Sequence, residues 1–254
     1  MKKNKNLGQI FVNLSAIKKE IELIDIKDKI ILEIGGGDGR ATELLAKQAK
    51  KVICIEKDLK YCNILKEKFK KNNKVLVMCG DFLKFPPRKV DVIFGNIPYY
   101  ISSEILSHIK KFEFEKAVLM FQKEFALKIV AKENTKEFGF LSLISQFYFN
   151  IDLKFIVHKT LFTPKPKVDS IVVLLSKTNK QIDKRTESII NCLFQHKKKT
   201  LKNALLDSTK LLKISKEDIF ELLIENQNSN KRVFKLTSEE ILDIAEQVCK
   251  WKKK

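Results

Sequence analysis

Four short stretches at the ends of apolar runs hold the residue types best suited to chemistry. Gly35, Gly37 and Gly39 follow Lys29-Ile30-Ile31-Leu32-Glu33-Ile34, Glu56 closes Val52-Ile53-Cys54-Ile55, Asp81 follows Val75-Leu76-Val77-Met78-Cys79-Gly80, and Asn96 follows Val90-Asp91-Val92-Ile93-Phe94-Gly95. The glycines let backbone approach a ligand closely. Glu56, 17 residues past Gly39, is suited to accept hydrogen bonds from both hydroxyls of a ribose. Asp81 is suited to accept from an adenine amine, with Phe82 beside the ring. Asn96-Ile97-Pro98-Tyr99 combines an amide carbonyl, a stiff turn and a flat aromatic face, which is what holding a nucleobase by its exocyclic amine requires.

The glycine pattern is E-x-G-x-G-x-G, and Arg40 stands where a dinucleotide fingerprint needs its third glycine. Nicotinamide and flavin cofactors are therefore disfavoured, and no G-x-x-x-x-G-K-[ST] supports an NTPase. A nucleoside cofactor without a pyrophosphate remains, and S-adenosyl-L-methionine fits. An adenine amine is a poor nucleophile because its lone pair is delocalised into the ring. If the Asn96 side-chain oxygen and a backbone carbonyl at Ile97 or Pro98 accept its two hydrogens, the nitrogen can pyramidalise toward an electrophilic methyl. Positioning and electrostatics then carry the reaction without a strong general base. Tyr99 is expected to stack on the base, with Phe162 as a second wall.

Other chemistries find little support. The five cysteines are odd in number, widely spaced and without C-x-x-C, so they are expected to be reduced. Three histidines without H-E-x-x-H predict no protein-bound metal.

Strands alternating with helices must position these residues. The runs at 29–34, 52–56, 75–79, 90–94 and 117–121 read as strands, with helices at 41–49, 59–69, 104–108 (capped by Ser102 or Ser103), 124–132 and 141–149. Further strands are expected at 154–158 and 170–175, flanking the proline loop that begins at Phe162. Nearly continuous apolar strands imply a parallel sheet covered on both faces, with ligands outside its carboxyl ends. Beyond about residue 178 every periodic segment is helical, which predicts a domain at 1–178 and a basic helical domain at 179–254. Lys and Arg number 50 against 31 Asp and Glu, and the net charge of +19 favours a polyanionic partner. No long apolar run and no signal-like N-terminus is present, so no membrane association and a cytoplasmic location are expected.

The sequence resembles the ribosomal-RNA adenine dimethyltransferases, specifically the KsgA-type enzymes of the small subunit, over almost its whole length. Leu7-Gly8-Gln9-Ile10-Phe11-Val12 is similar to the family's opening L-G-Q-x-F-L, residues 33–39 to its glycine motif, and residues 96–102 to N-L-P-Y-x-I-S. Gln122-Lys123-Glu124, the proline string from Phe162 to Ser170 and Phe194-Gln195-His196-Lys197-Lys198-Lys199-Thr200-Leu201 also match. The resemblance implies a Rossmann-like class I methyltransferase sheet of seven mostly parallel strands with a small all-helical C-terminal domain. By it, Gln9, Ile10 and Val12 close over the cofactor, Gly35 and Gly37 face its methionine part, Glu56 holds the ribose, Asp81 the adenine, and Asn96 and Tyr99 the target amine. The implied substrate is adenosine near the 3′ end of small-subunit rRNA, within a pre-ribosomal particle, and the enzyme is expected to be a monomer. Alternatives are a non-catalytic nucleic-acid-binding or assembly factor, a large-subunit rRNA methyltransferase conferring antibiotic resistance, and a small-molecule methyltransferase. The chain departs from the pattern at Ile10, which replaces a polar residue, at Gly36 (often proline), at Tyr100 (Asn or Gln) and at Lys197 and Lys198 (arginines). Lysine keeps the charge there but loses the bidentate grip on phosphate.

Overall fold

The computed structural model describes residues 11–224 and 226–251, so Gln9 and Ile10 lie outside the described residues. The chain divides into two units: Phe149–Thr178 with the chain up to Leu127, and Lys128–Tyr148 with the chain from Asn179. The linear boundary expected at 178 thus needs a correction, because the helical unit also takes in residues 128–148. Packing is the reason. Phe138 and Leu143 are buried in one apolar cluster with Ile190, Leu193 and Leu205.

In the first unit, β1 (Phe11–Val12) and α1 (Leu14–Ile21) precede β2 (Ile30–Ile34), α2 (Arg40–Ala46), β3 (Lys51–Glu56), α3 (Leu59–Lys68) and β4 (Val75–Cys79). Then come β5 (Val92–Asn96), α4 (Ser102–Ile109), β6 (Lys116–Gln122) and α5 (Lys123–Ile129), which runs into the second unit. After α6 (Phe140–Tyr148) of the second unit, the chain returns with β7 (Phe149–Val157), β8 (Phe162–Thr163) and β9 (Ser170–Lys177). Seven strands form one sheet in the order β4-β3-β2-β5-β6-β9-β7. The first five in that order are parallel, β9 runs antiparallel beside β6, and β7, antiparallel to β9, points the same way as the first five. Ile31, Leu32, Val52, Cys54, Ile93, Val118 and Leu119 are all buried, as expected of strands covered on both faces.

This order positions the site. From β2 the chain winds outward through β3 to β4 and then crosses back to β5 on the other side of β2, so the winding reverses between β2 and β5. A crevice opens outside their carboxyl ends at such a point. Because β9 runs antiparallel to β6, its first residue, Ser170, lies opposite Gln122 at the carboxyl end of β6. The proline loop before β9 is thereby brought to the same edge. A two-stranded ladder pairs Val12 with Phe162 and ties the N-terminal segment to that loop.

Three local expectations are corrected. The strand expected at 154–158 begins at Phe149, which pairs with Lys177, so the preceding helix stops at Tyr148. Neither Ser102 nor Ser103 caps α4; Ser102 lies in its first turn, and its hydroxyl donates to the Tyr99 carbonyl at 3.1 Å. The cysteines are not all reduced, because Cys62 of α3 and Cys79 at the end of β4 form a disulfide with Cα atoms 5.5 Å apart. A helix packed beside the next strand brought together two residues whose spacing carried no motif. Cys54, Cys192 and Cys249 are free and buried.

The second unit continues with α7 (Lys184–Gln195), α8 (Leu201–Asp207), α9 (Thr209–Leu212), α10 (Lys216–Leu223) and α11 (Ser238–Trp251). Asp183 caps α7 by accepting the Arg185 and Thr186 N–H groups, and Ser215 with Asp218 forms a capping box on α10. The lysine run 197–199 is partly structural: Lys197 Nζ donates to the carbonyls of Lys136 and Phe138, and Lys199 pairs with Asp207. Lys198 is exposed. Among the described residues no helix is long and apolar enough to cross a membrane.

Candidate active site

A cavity of about 720 Å³ opens at the switch point and is lined by the glycine turn, Glu56, Asp81, Asn96, Tyr99 and Phe162. The turn after β2 holds Gly35, Gly37 and Gly39 at φ of +78°, +54° and +81°, a region costly for any residue with a Cβ. Gly36 is tightly packed, without a positive φ. A Cβ there would lie 2.2 Å from Cys54 Sγ and 2.8 Å from Leu65 Cδ1, so the turn rests directly on β3 and α3. Phe11 covers Gly37 from the other side, packs against Tyr61 at 5.5 Å between ring centroids and lies under the Arg40 guanidinium.

Glu56, at the carboxyl end of β3, is buried, and its carboxylate accepts the Gly37 N–H at 2.9 Å and the Asp58 N–H at 2.8 Å. Each oxygen keeps a lone pair for a ligand hydroxyl. Glu33, inside β2, is fully buried and receives the Thr42 hydroxyl at 2.6 Å. Desolvation pushes its carboxyl up to about 7, against the opposing pull of that hydrogen bond.

Asp81 caps the short helical turn that starts at Phe82, accepting the Leu83 N–H at 3.1 Å, and pairs with Lys57 at 2.7 Å. The Lys57 hydrogen bond holds its carboxyl below the usual range. Phe82 lines the cavity but also stacks on Phe112 and meets His108 edge-on, so an aromatic cluster fixes this wall. His108 is held by the Phe85 carbonyl at 3.0 Å.

Asn96 ends β5. Its side-chain oxygen is buried, and no group among the described residues donates to it. A buried amide oxygen left without a donor carries a desolvation penalty, which a ligand N–H relieves. The backbone around it is fixed: the Ile97 N–H donates to Met120 and the Pro98 carbonyl accepts from Ile101. Tyr99 is half-buried, with its hydroxyl 2.8 Å from Ser170 Oγ. Phe162 is buried on the cavity wall and Tyr100 stands exposed at the mouth.

Of the residues expected at the site, Val12, Gly35, Gly37, Glu56, Asp81, Phe82, Asn96, Pro98, Tyr99 and Phe162 all line this one cavity. Arg40, Lys57 and Ser170 also line it and were not foreseen, since each depends on a partner distant in sequence. Arg40 shows this best: it pairs with Asp38 and donates to the Val12 carbonyl at 3.0 Å, clamping β1 to the glycine turn. Among the described residues no group of His, Cys, Asp and Glu is arranged to hold a metal ion.

The cavity suits a nucleoside in volume, and its acceptors match a ribose, an adenine amine and a second amine at Asn96. Fold and pocket together define a Rossmann-like S-adenosylmethionine-dependent methyltransferase. Residues 1–250 match the family described as ribosomal RNA adenine dimethylase, and the chain belongs to that family. It is 42% identical over 253 residues to a probable ribosomal RNA small subunit methyltransferase A of Thermococcus sibiricus, covering 97% of this chain and 92% of the relative. The corresponding protein of Pyrococcus abyssi is 38% identical, with coverage of 96% and 91%. Among solved structures, a dimethyladenosine transferase from Plasmodium falciparum superposes with a TM-score of 0.82 at 27% identity, covering 96% of this chain and 98% of that one. The 23S rRNA methyltransferase ErmE gives a TM-score of 0.65 at 25% identity, with coverage of 94% and 99%. The chain is an enzyme that dimethylates adenine in rRNA.

Proposed function

We propose that the target is the exocyclic amine of adenosines near the 3′ end of small-subunit rRNA, methylated within a pre-ribosomal particle in the cytoplasm by a monomeric enzyme that serves small-subunit biogenesis. The observation that carries the site assignment is the buried, undonated Asn96 oxygen, in one cavity with Tyr99 and Phe162. Asn96 and a backbone carbonyl at Ile97 or Pro98 accept the amine hydrogens, while Tyr99 and Phe162 hold the ring. Bound in the cavity, S-adenosylmethionine supplies an electrophilic sulfonium methyl. Glu56 accepts from its ribose hydroxyls, Asp81 from its adenine amine, and Gly35 and Gly37 let its methionine part lie against the turn; Val12 lies at the edge of the same cavity. The basic helical region 179–254 binds rRNA.

Incubation with labelled S-adenosylmethionine and immature small subunits, followed by mass spectrometry of adenosines, tests this. Dimethyladenosine near the 3′ end is expected, and strand mapping that places it in large-subunit rRNA overturns the assignment. Full biological function with Asn96→Ala would instead point to a non-catalytic assembly factor.

A further inference from the structure

Ser170 opens β9 and is fully buried. Its backbone is fixed on both sides, opposite Gln122 of β6 and Val157 of β7. A hydroxyl at a fully buried strand position is costly unless it is partnered. The partner here is the phenol of Tyr99, 2.8 Å away and 71 residues distant in sequence. At its other end Tyr99 is held through its carbonyl by the Ser102 hydroxyl at 3.1 Å. The ring is thus tethered at the backbone and at the phenol oxygen, and Tyr99 lines the cavity that Asn96 and Phe162 also line.

We propose that Ser170 is a positioning residue that fixes the plane of Tyr99 against the target base, and that this tether chiefly serves the second methyl transfer. The inference rests on the reading of Tyr99 as the stacking residue. Each transfer forms an N–C bond and breaks the S–C bond of the sulfonium, whose electrons return to sulfur, and the nitrogen releases one proton to solvent. In the first transfer the amine offers two hydrogens, one to Asn96 and one to a backbone carbonyl. In the second it has a single hydrogen left. Hydrogen bonding then orients the nitrogen less, and the stacked ring must hold the base to a greater extent. Loosening Tyr99 therefore penalises the second transfer more than the first.

The experiment compares wild type, Tyr99→Phe, Ser170→Ala and the double variant, with Tyr99→Ala as reference. Both single variants are expected to raise the ratio of monomethyl- to dimethyladenosine roughly two- to tenfold, the range of one hydrogen bond, with the double variant no worse than either. Cofactor dissociation constants are expected to stay near those of wild type; Ser170→Ala should also melt near wild type, whereas Tyr99→Phe, which leaves the buried Ser170 hydroxyl unpartnered, should melt a few degrees lower. A readout free of catalysis uses stem-loop RNA with 2-aminopurine at the target position. This probe lacks the 6-amine, so its quenching reports stacking alone, and quenching should weaken in both single variants. An unchanged product ratio in either single variant, or effects that multiply in the double, overturns the proposal. If Tyr99→Ala retains wild-type rate and quenching, the stacking reading itself fails. If Tyr99→Ala is severely impaired while Tyr99→Phe and Ser170→Ala behave as wild type, only the role of Ser170 fails.

Discussion

Glu56 accepts the Gly37 N–H at 2.9 Å, joining the carboxyl end of β3 to the glycine turn of β2. The same carboxylate takes the Asp58 N–H that opens α3, so one buried side chain ties together three segments of the cavity wall. Glu56→Ala leaves two backbone donors without an acceptor, and Glu56→Gln turns an amide NH₂ toward one of them. Both variants should bind S-adenosylmethionine roughly 10- to 100-fold more weakly by titration calorimetry, the equivalent of about 1–3 kcal/mol. Unchanged affinity would remove Glu56 from the ribose site.

Glu20 of α1 is buried, and one of its oxygens has no donor among the described residues. Burial pushes its carboxyl from 4.5 up to about 8, and Glu33 is raised to about 7 by the same cause. The folded state therefore binds protons more tightly than the unfolded chain does, so stability falls as pH rises from about 4.5 through 8. Glu20→Gln mimics the neutral acid. It should melt close to wild type at pH 5 and several degrees higher at pH 9, as followed by circular dichroism. Equal melting curves at both pH values would contradict this.

The parallel sheet was legible because nearly continuous apolar strands alternate with helical periodicity, and the strand-end residues followed from that alternation. Glu56, Asp81 and Asn96 could be assigned to one edge of the sheet, where they line one cavity, because a strand end fixes a residue's location whatever its partners are. Partners were a different matter. Nothing near Ser170 in sequence announces Tyr99, and nothing near Lys57 announces Asp81. Residues 128–148 read as an extension of the sheet unit because helical periodicity gives no hint of which core a helix joins. The start of β7 was missed for a related reason: Phe149 continues the apolar run of α6 into the strand without a break. The Cys62–Cys79 bridge arises from a helix crossing, to which spacing is blind.

The bridge between Cys62 and Cys79 closes a 17-residue separation immediately before Gly80 and Asp81. Restricting an unfolded loop of that size contributes about 3 kcal/mol. Reduction, or the Cys62→Ser/Cys79→Ser double variant, should lower the melting temperature by several degrees. It should also weaken cofactor binding, because the wall carrying Asp81 loses an anchor. Alkylation followed by mass spectrometry, with and without reductant, establishes that the bridge is present. Melting curves that do not change on verified reduction would deny it a stabilising role.

The Asn96 oxygen makes stability and activity respond in opposite directions to one substitution. Truncation to Ala removes a buried acceptor that has no donor among the described residues, so no hydrogen bond within the protein is lost. Buried and unsatisfied, that oxygen costs the folded state its desolvation penalty. Asn96→Ala should therefore melt at or above the wild-type temperature, as expected where a site is held in a form that suits a ligand better than the fold. Its turnover should fall by roughly 100- to 1,000-fold, the usual consequence of deleting one preorganised polar contact to a reacting group. Cofactor affinity should change far less, since Glu56 and Asp81 remain in place. Asn96→Asp keeps an acceptor oxygen and should retain part of the activity lost in Asn96→Ala. Turnover, calorimetric affinity and melting temperature measured on the same preparations check all three parts. An Asn96→Ala enzyme that melts several degrees lower would place the amide in the structural framework rather than at the target amine.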